Sequence, residues 1–183
     1  RSLAGRDPAP AADAEAAAVA AERLLADPTR TARSLAGWLG DRPVLALLGR
    51  GESRAAAEMG ALTLKEAARF PAESLQAAQF RHGPLELAGP ELAAIVFASE
   101  LRTRELDTGL AAELAAAGAA VLVISPDGTA PAGATGIATG ELPEGISPAV
   151  SIVPVQLLSW ALARSRGLAP GTYTIASKVT THE

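Results

Sequence analysis

The sequence predicts an α/β domain built on a parallel sheet, and three observations lead there. Short continuous apolar runs stand at 44–48 (VLALL), 93–97 (AAIVF) and 119–124 (AAVLVI), each the length of a strand buried on both faces. Between the second and third lies a helical segment at 103–117, with Leu106, Leu110 and Leu114 at a spacing of four. The first run ends in Gly49-Arg50-Gly51 and opens into a helical stretch near Ser53, a strand–turn–helix unit. Strands that alternate with helices in this way build a parallel sheet.

Taken in order, residues 1–10 carry Gly5, Pro8 and Pro10 and read as a linker. The Ala-rich stretch 11–26, with Val19, Leu24 and Leu25 on it, is a helix by propensity, closed by Asp27-Pro28. Thr29 is then placed to cap a second helix that bears Leu35, Trp38 and Leu39 and stops at Gly40. The chain so far, 1–42, is linker plus helical hairpin, and 43–183 is the domain proper. Within it the helix 53–70 follows the first strand, a short edge strand is expected near 136–138, and 146–166 forms one long final helix with Val150, Val153, Leu157 and Leu158 on one side. A Gly- and Pro-containing tail runs from 167 to 183.

Composition narrows the function classes. With 183 residues, 49% apolar and 20% charged, the chain is neither disordered nor too short for a core. No run reaches the ~18 apolar residues of a spanning helix. Twenty acids against sixteen bases, with no basic cluster, lack the electrostatic footprint of a nucleic-acid partner. Zero cysteines exclude disulfides, thiolate metal sites and a cysteine nucleophile in this chain, and with no signal-like segment the expected setting is the cytoplasm. The chain opens with Arg1 rather than Met, as a fragment or processed product would.

The cations are unevenly chosen: fourteen are Arg and only Lys65 and Lys178 are Lys. An amine can lose its proton and a guanidinium cannot, so a rare Lys marks a place where that property is wanted, or else chance survival on a surface. On the helix 53–70, Glu58 and Lys65 lie nearly in line with Glu66 at the edge of the same face. Lys65 suits a helix C-terminus, whereas Glu66 there opposes the macrodipole. His82 precedes Gly83-Pro84, a turn that presents a side chain rather than burying it. Taken singly, the charges of the helix 53–70 and Lys178 on the tail read first as solvated charges. Beyond the carboxyl ends of parallel strands ligands find glycine turns and free N–H groups, which makes Gly49-Arg50-Gly51 the natural site edge.

Together these pieces form a pattern: Gly49-Arg50-Gly51, Glu58, GAL at 60–62, Leu64-Lys65-Glu66, Ala72-Glu73, FRHGP at 80–84, Pro154 with QLL at 156–158, and SKVT at 177–180. It resembles the second SIS (sugar isomerase) domain of the isomerase half of glucosamine-6-phosphate synthase. The FRHGP form is also similar to the tagatose-6-phosphate ketose/aldose isomerase and amino-sugar deaminase branch. The resemblance covers the chain from about Val44 to its end, and the hairpin resembles the segment that joins two SIS domains. It departs from the family at Thr63, where a lysine stands two residues before that of LKE, and at 170–178, which replaces PRNLAK. The Ser/Thr-rich phosphate loop of a first SIS domain is missing, and 125–129 (SPDGT) reads as a turn.

The resemblance implies a three-layer αβα sandwich with a mostly parallel sheet of about five strands, of flavodoxin-like type. It implies a homodimer, a first SIS domain in the parent chain, a sugar 6-phosphate or amino-sugar phosphate as ligand, and neither metal nor nucleotide cofactor. By carry-over Glu66 matches the base that moves a proton between C1 and C2, and His82 the histidine that assists ring opening from a neighbouring subunit. Lys178 matches the tail lysine that reaches the open-chain carbonyl. Gly49, Arg50, Gly51, Glu58, Thr63, Lys65 and Ser177 are the expected substrate contacts. Amine, carboxylate and imidazole are the set that proton transfer beside a carbonyl needs. The expected activity is sugar-phosphate isomerisation or amino-sugar-phosphate deamination; the alternatives are a regulatory module that senses a sugar phosphate, and a purely structural dimerisation half.

Overall fold

The structure is a computed structural model that describes residues 9–172 and residue 175. Its centre is a five-stranded sheet in the order β2-β1-β3-β4-β5, with every neighbouring pair parallel. The strands are β1 (Val44–Gly49), β2 (Ala72–Gln76), β3 (Leu92–Phe97), β4 (Ala120–Ser125) and β5 (Ala134–Ala138). Three of them are the apolar runs of the sequence, and all six residues of β3 are buried. Helices cover both faces, so the expected three-layer α/β sandwich is the observed one.

One layer packs α2 (Pro28–Leu39), α3 (Ser53–Ala68) and α7 (Val153–Ser165) onto Leu45, Leu47, Ile95, Phe97, Leu122 and Ile124. The other packs α4 (Ala77–Phe80) and α5 (Arg104–Ala116) onto Ala46, Leu48, Ala94, Val96, Val121 and Val123. Alternate residues of each strand thus serve opposite layers, the period-two consequence of the pleat. Helix α1 (Ala9–Leu24) docks chiefly on α6 (Ser147–Ser151), through Ala17 and Ala20 against Val150.

Several local expectations shift. Helix α2 is capped not by Thr29 but by Asp27, whose carboxylate accepts the Arg30 backbone N–H at 3.0 Å, with Pro28 at the first helical position. The single final helix is two, α6 and α7, parted at Ile152, where Pro154 has no N–H to give to the carbonyl four residues back. Helix α3 ends at Ala68 rather than 70, because Arg69 turns left-handed (φ 50°) and the Phe70 N–H donates to the Leu64 carbonyl. Strand β2 was not anticipated. It is a half-exposed edge strand, AESLQ, that owes its conformation to pairing with β1.

Helix α3 lies close on the sheet because Gly60 faces it. A Cβ there would stand 2.7 Å from Leu47 Cδ2 and 3.1 Å from Val155 Cγ1. Gly60→Val is therefore expected to destabilise the domain by about 1–3 kcal/mol through overpacking, read as a lower urea midpoint.

Candidate functional site

The strand order reverses direction between β1 and β3, so the crevice of this sheet opens above their carboxyl ends. The turn at Gly49–Gly51 forms one wall and residues 98–103 the other. Gly49 is buried, and a Cβ on it would lie 2.7 Å from the Ser53 carbonyl oxygen. Arg50 is engaged within the fold. Its Nε donates to Asp107 Oδ1 at 2.6 Å, and the pair is nearly dry, 11% and 1% exposed. Thr103 Oγ1 donates to the other carboxylate oxygen at 2.9 Å. Burial pushes the Asp107 carboxyl above its ordinary value, Thr103 and Arg50 pull it part of the way back, and the charge of Glu100 adds to the upward push.

Glu100 closes the crevice. Its carboxylate accepts the Ser53 N–H at 3.0 Å at the start of α3, and it fills the space beside Gly51 so fully that a Cβ there would overlap it. Gly51 also holds φ at 47°. An internal anion thus sits where the α3 N-terminus would draw one. Neither Glu100 nor Asp107 was foreseen. Asp107 had a signal, since it occupies the buried stripe of α5 with Leu110, Ala111 and Leu114. Nothing local distinguishes Glu100.

The LKE segment lies near the C-terminal end of α3, away from that crevice. Glu66 and Lys65 are exposed, on the outward face that also carries Met59 (53% exposed) and Leu62 (44%). Glu58 is on this face, paired to Arg54 at 2.7 Å. Thr63 turns its hydroxyl back to donate to the Met59 carbonyl at 2.8 Å, while its own carbonyl accepts from Ser159. His82 follows α4 and is exposed. Its N–H donates to the Gln79 carbonyl, and its neighbour Arg81 is held to Glu113 of α5 by two hydrogen bonds of 2.5 and 2.9 Å. Gly83 takes φ 125°, a value side chains resist, and turns the chain into the 3-10 segment Pro84–Leu87.

The sheet separates these groups. Helix α3, with Glu66, belongs to the layer on Leu45 and Leu47, and α4, which leads to His82, belongs to the layer on Ala46 and Leu48. Ser177 and Lys178 lie outside the described residues. Among the described residues no cluster of three His, Asp or Glu is arranged for a metal, and no helix is long and apolar enough to cross a membrane.

The turn after β4 is held by its own side chains. Asp127 accepts from the Thr129 N–H at 3.0 Å and hydroxyl at 2.7 Å and from Ser125, which hold its carboxyl down at about 2. A depressed acid adds stability above its unfolded value near 3.8 and loses it as pH falls through about 2. The stability difference between wild type and Asp127→Ala is expected to be present at pH 5 and to shrink between pH 4 and 2, measured by thermal melts across that range.

A model of the SIS domain matches residues 41–165. Glutamine–fructose-6-phosphate aminotransferase (isomerizing) from Brucella abortus is 37% identical over 120 residues, 63% of this chain and 20% of its own length. Its counterpart from Pyrobaculum aerophilum is 32% identical over 160 residues, 84% of this chain and 26% of its own. The chain thus spans about a fifth to a quarter of the length of these relatives. In three dimensions the C-terminal domain of glucosamine-fructose-6-phosphate aminotransferase from Francisella tularensis superposes with a TM-score of 0.73 at 22% identity, over 83% of this chain and 43% of its own. Tagatose-6-phosphate ketose/aldose isomerase from Escherichia coli does so with 0.70 at 23% identity, over 91% and 47%. At these identities the structural likeness speaks for the fold.

Proposed function

This chain belongs to the SIS domain family, and on that footing we propose that it is the proton-transferring half of a sugar-phosphate isomerase or amino-sugar-phosphate deaminase that works as a homodimer alongside a first SIS domain, in the cytoplasm. The observation that carries the reading is the placement of the two candidate groups. Glu66 and His82 are both exposed, and the helix that carries one and the helix that leads to the other pack on opposite faces of the sheet. This arrangement suits a site where one subunit supplies the carboxylate and another the imidazole. Met59 and Leu62 beside Glu66 support this, since an exposed apolar stripe next to a general base suits a covering partner that excludes water.

In this reading His82 relays the proton that opens the sugar ring. The Lys178 ammonium donates to the open-chain carbonyl oxygen and, by stabilising the charge that develops there, acidifies the adjacent C–H. Glu66 takes that proton from C2, leaving an enediol, and returns it at C1 while the C2 hydroxyl proton passes to the C1 oxygen, or the reverse. Isomerisation needs no more than this; with an amine on C2 the same shift leaves an iminium at C2, which water hydrolyses to the ketose and ammonia. Among the expected substrate contacts, Arg50 is paired to Asp107 and Glu58 to Arg54 within the chain. Lys65 remains a candidate contact, and Ser177 stays an expectation from the family pattern.

The test is NMR detection of solvent deuterium entering C1 or C2 of fructose 6-phosphate and of glucosamine 6-phosphate with the full-length natural protein. Exchange supports the enzyme. Saturable binding of either sugar without exchange favours a sensing module, the second reading, which needs neither Glu66 nor Lys178 to react.

A further inference from the structure

A separate cavity of about 400 Å³ opens between the helical hairpin and the β5 edge of the sheet, a size within the range of small-molecule sites. It exists because α5 packs on one face of β5 while, on the other, the turn between α1 and α2 stands over the strand without closing on it. Leu35, Trp38, Leu122 and Ile137 give it an apolar interior. Arg23 and Arg30 stand at its walls, both exposed, and among the described residues neither guanidinium has a hydrogen-bond or ion-pair partner. Asp27, also in the wall, has a carboxylate oxygen engaged by the Arg30 backbone as the α2 cap. Trp38 adds a buried indole N–H without a partner, an unsatisfied donor within that wall.

Two unpaired guanidiniums over an apolar floor have a definite complement. We propose that this cavity binds a small amphipathic anion, its carboxylate, sulfonate or phosphate group held by Arg23 and Arg30 and its apolar body laid against Leu35, Trp38 and Ile137. Guanidinium supplies paired donors in the plane such a group accepts, and the apolar body accounts for an interior that a bare ion would not need. The site is independent of Glu66 and His82. A ligand there ties the hairpin to the edge strand, and by mass action it stabilises the folded state.

The probe is 8-anilinonaphthalene-1-sulfonate, with N-phenyl-1-naphthylamine as the neutral counterpart of the same apolar body. Trp38 and Trp160 are the two tryptophans of this sequence, so within it Trp160→Phe leaves Trp38 as the sole indole reporter. The sulfonate is expected to bind saturably at one site, quench Trp38 and raise the melting temperature. Arg23→Gln/Arg30→Gln is expected to weaken it at least about tenfold without changing the melt of the unliganded protein, and to leave the neutral probe unaffected. Equal affinity of the sulfonate for both proteins, or saturation without quenching of Trp38, overturns the proposal. Deuterium exchange into the sugars is unaffected by either result, so the two readings fail separately.

Discussion

Glu66→Gln in the full-length protein is expected to lower the rate of solvent deuterium entry at C1 and C2 by about 10²- to 10⁴-fold, the usual contribution of a positioned general base. The amide keeps the size and hydrogen-bonding reach of the carboxylate and loses only its capacity to take a proton. Because the side chain is exposed on α3, the melting temperature should barely move, since surface substitutions stay within about 0.5 kcal/mol. Substrate affinity should likewise be kept, so that the loss falls on kcat rather than on KM. A variant that exchanges deuterium at the wild-type rate assigns the chemistry elsewhere and returns Glu66 to the role of a solvated charge.

Asp107→Ala is expected to cost stability rather than turnover, about 3–5 kcal/mol, because it leaves the Arg50 guanidinium nearly buried and unpaired. Urea unfolding reads this as a lower midpoint. The double variant Arg50→Met/Asp107→Leu should recover most of the loss. A buried ion pair is costly to break but adds little over apolar packing of similar volume. The pH dependence supplies an independent sign. The folded protein holds the Asp107 proton more tightly than the unfolded chain does, so this group makes stability fall as pH rises from about 3.8 toward its raised folded value. Asp107→Asn should remove that component. A double variant as unstable as Asp107→Ala would show that the residues matter for shape and not for charge.

Much of the fold was legible because its signals are local. Strands β1, β3 and β4 are buried on both faces, so they appear as unbroken apolar runs, and α5 shows its core stripe as leucines spaced by four. Strand β2 carried no such signal. AESLQ is an edge strand with one flank in solvent, and its state comes from the ladder it shares with β1. The α2 cap was missed by two residues, since Asp27 and Thr29 are both good caps and only the backbone shows which one reaches an orphan N–H.

The site divides along the same line. From the sequence alone it was legible that glycine ends the first strand and that a Gly-Pro turn presents His82, and the family pattern singled out Glu66, His82 and Lys178. The tertiary structure withdraws Arg50 into a pair with Asp107, fills the crevice at the start of α3 with Glu100, and sets α3, which carries Glu66, and α4, which leads to His82, on opposite faces of the sheet. Helix caps, apolar periods and turns are settled by neighbours a few residues apart. The partner of a buried charge, and the face of the sheet on which a group stands, are settled by residues about fifty positions away that meet only when the strands pair.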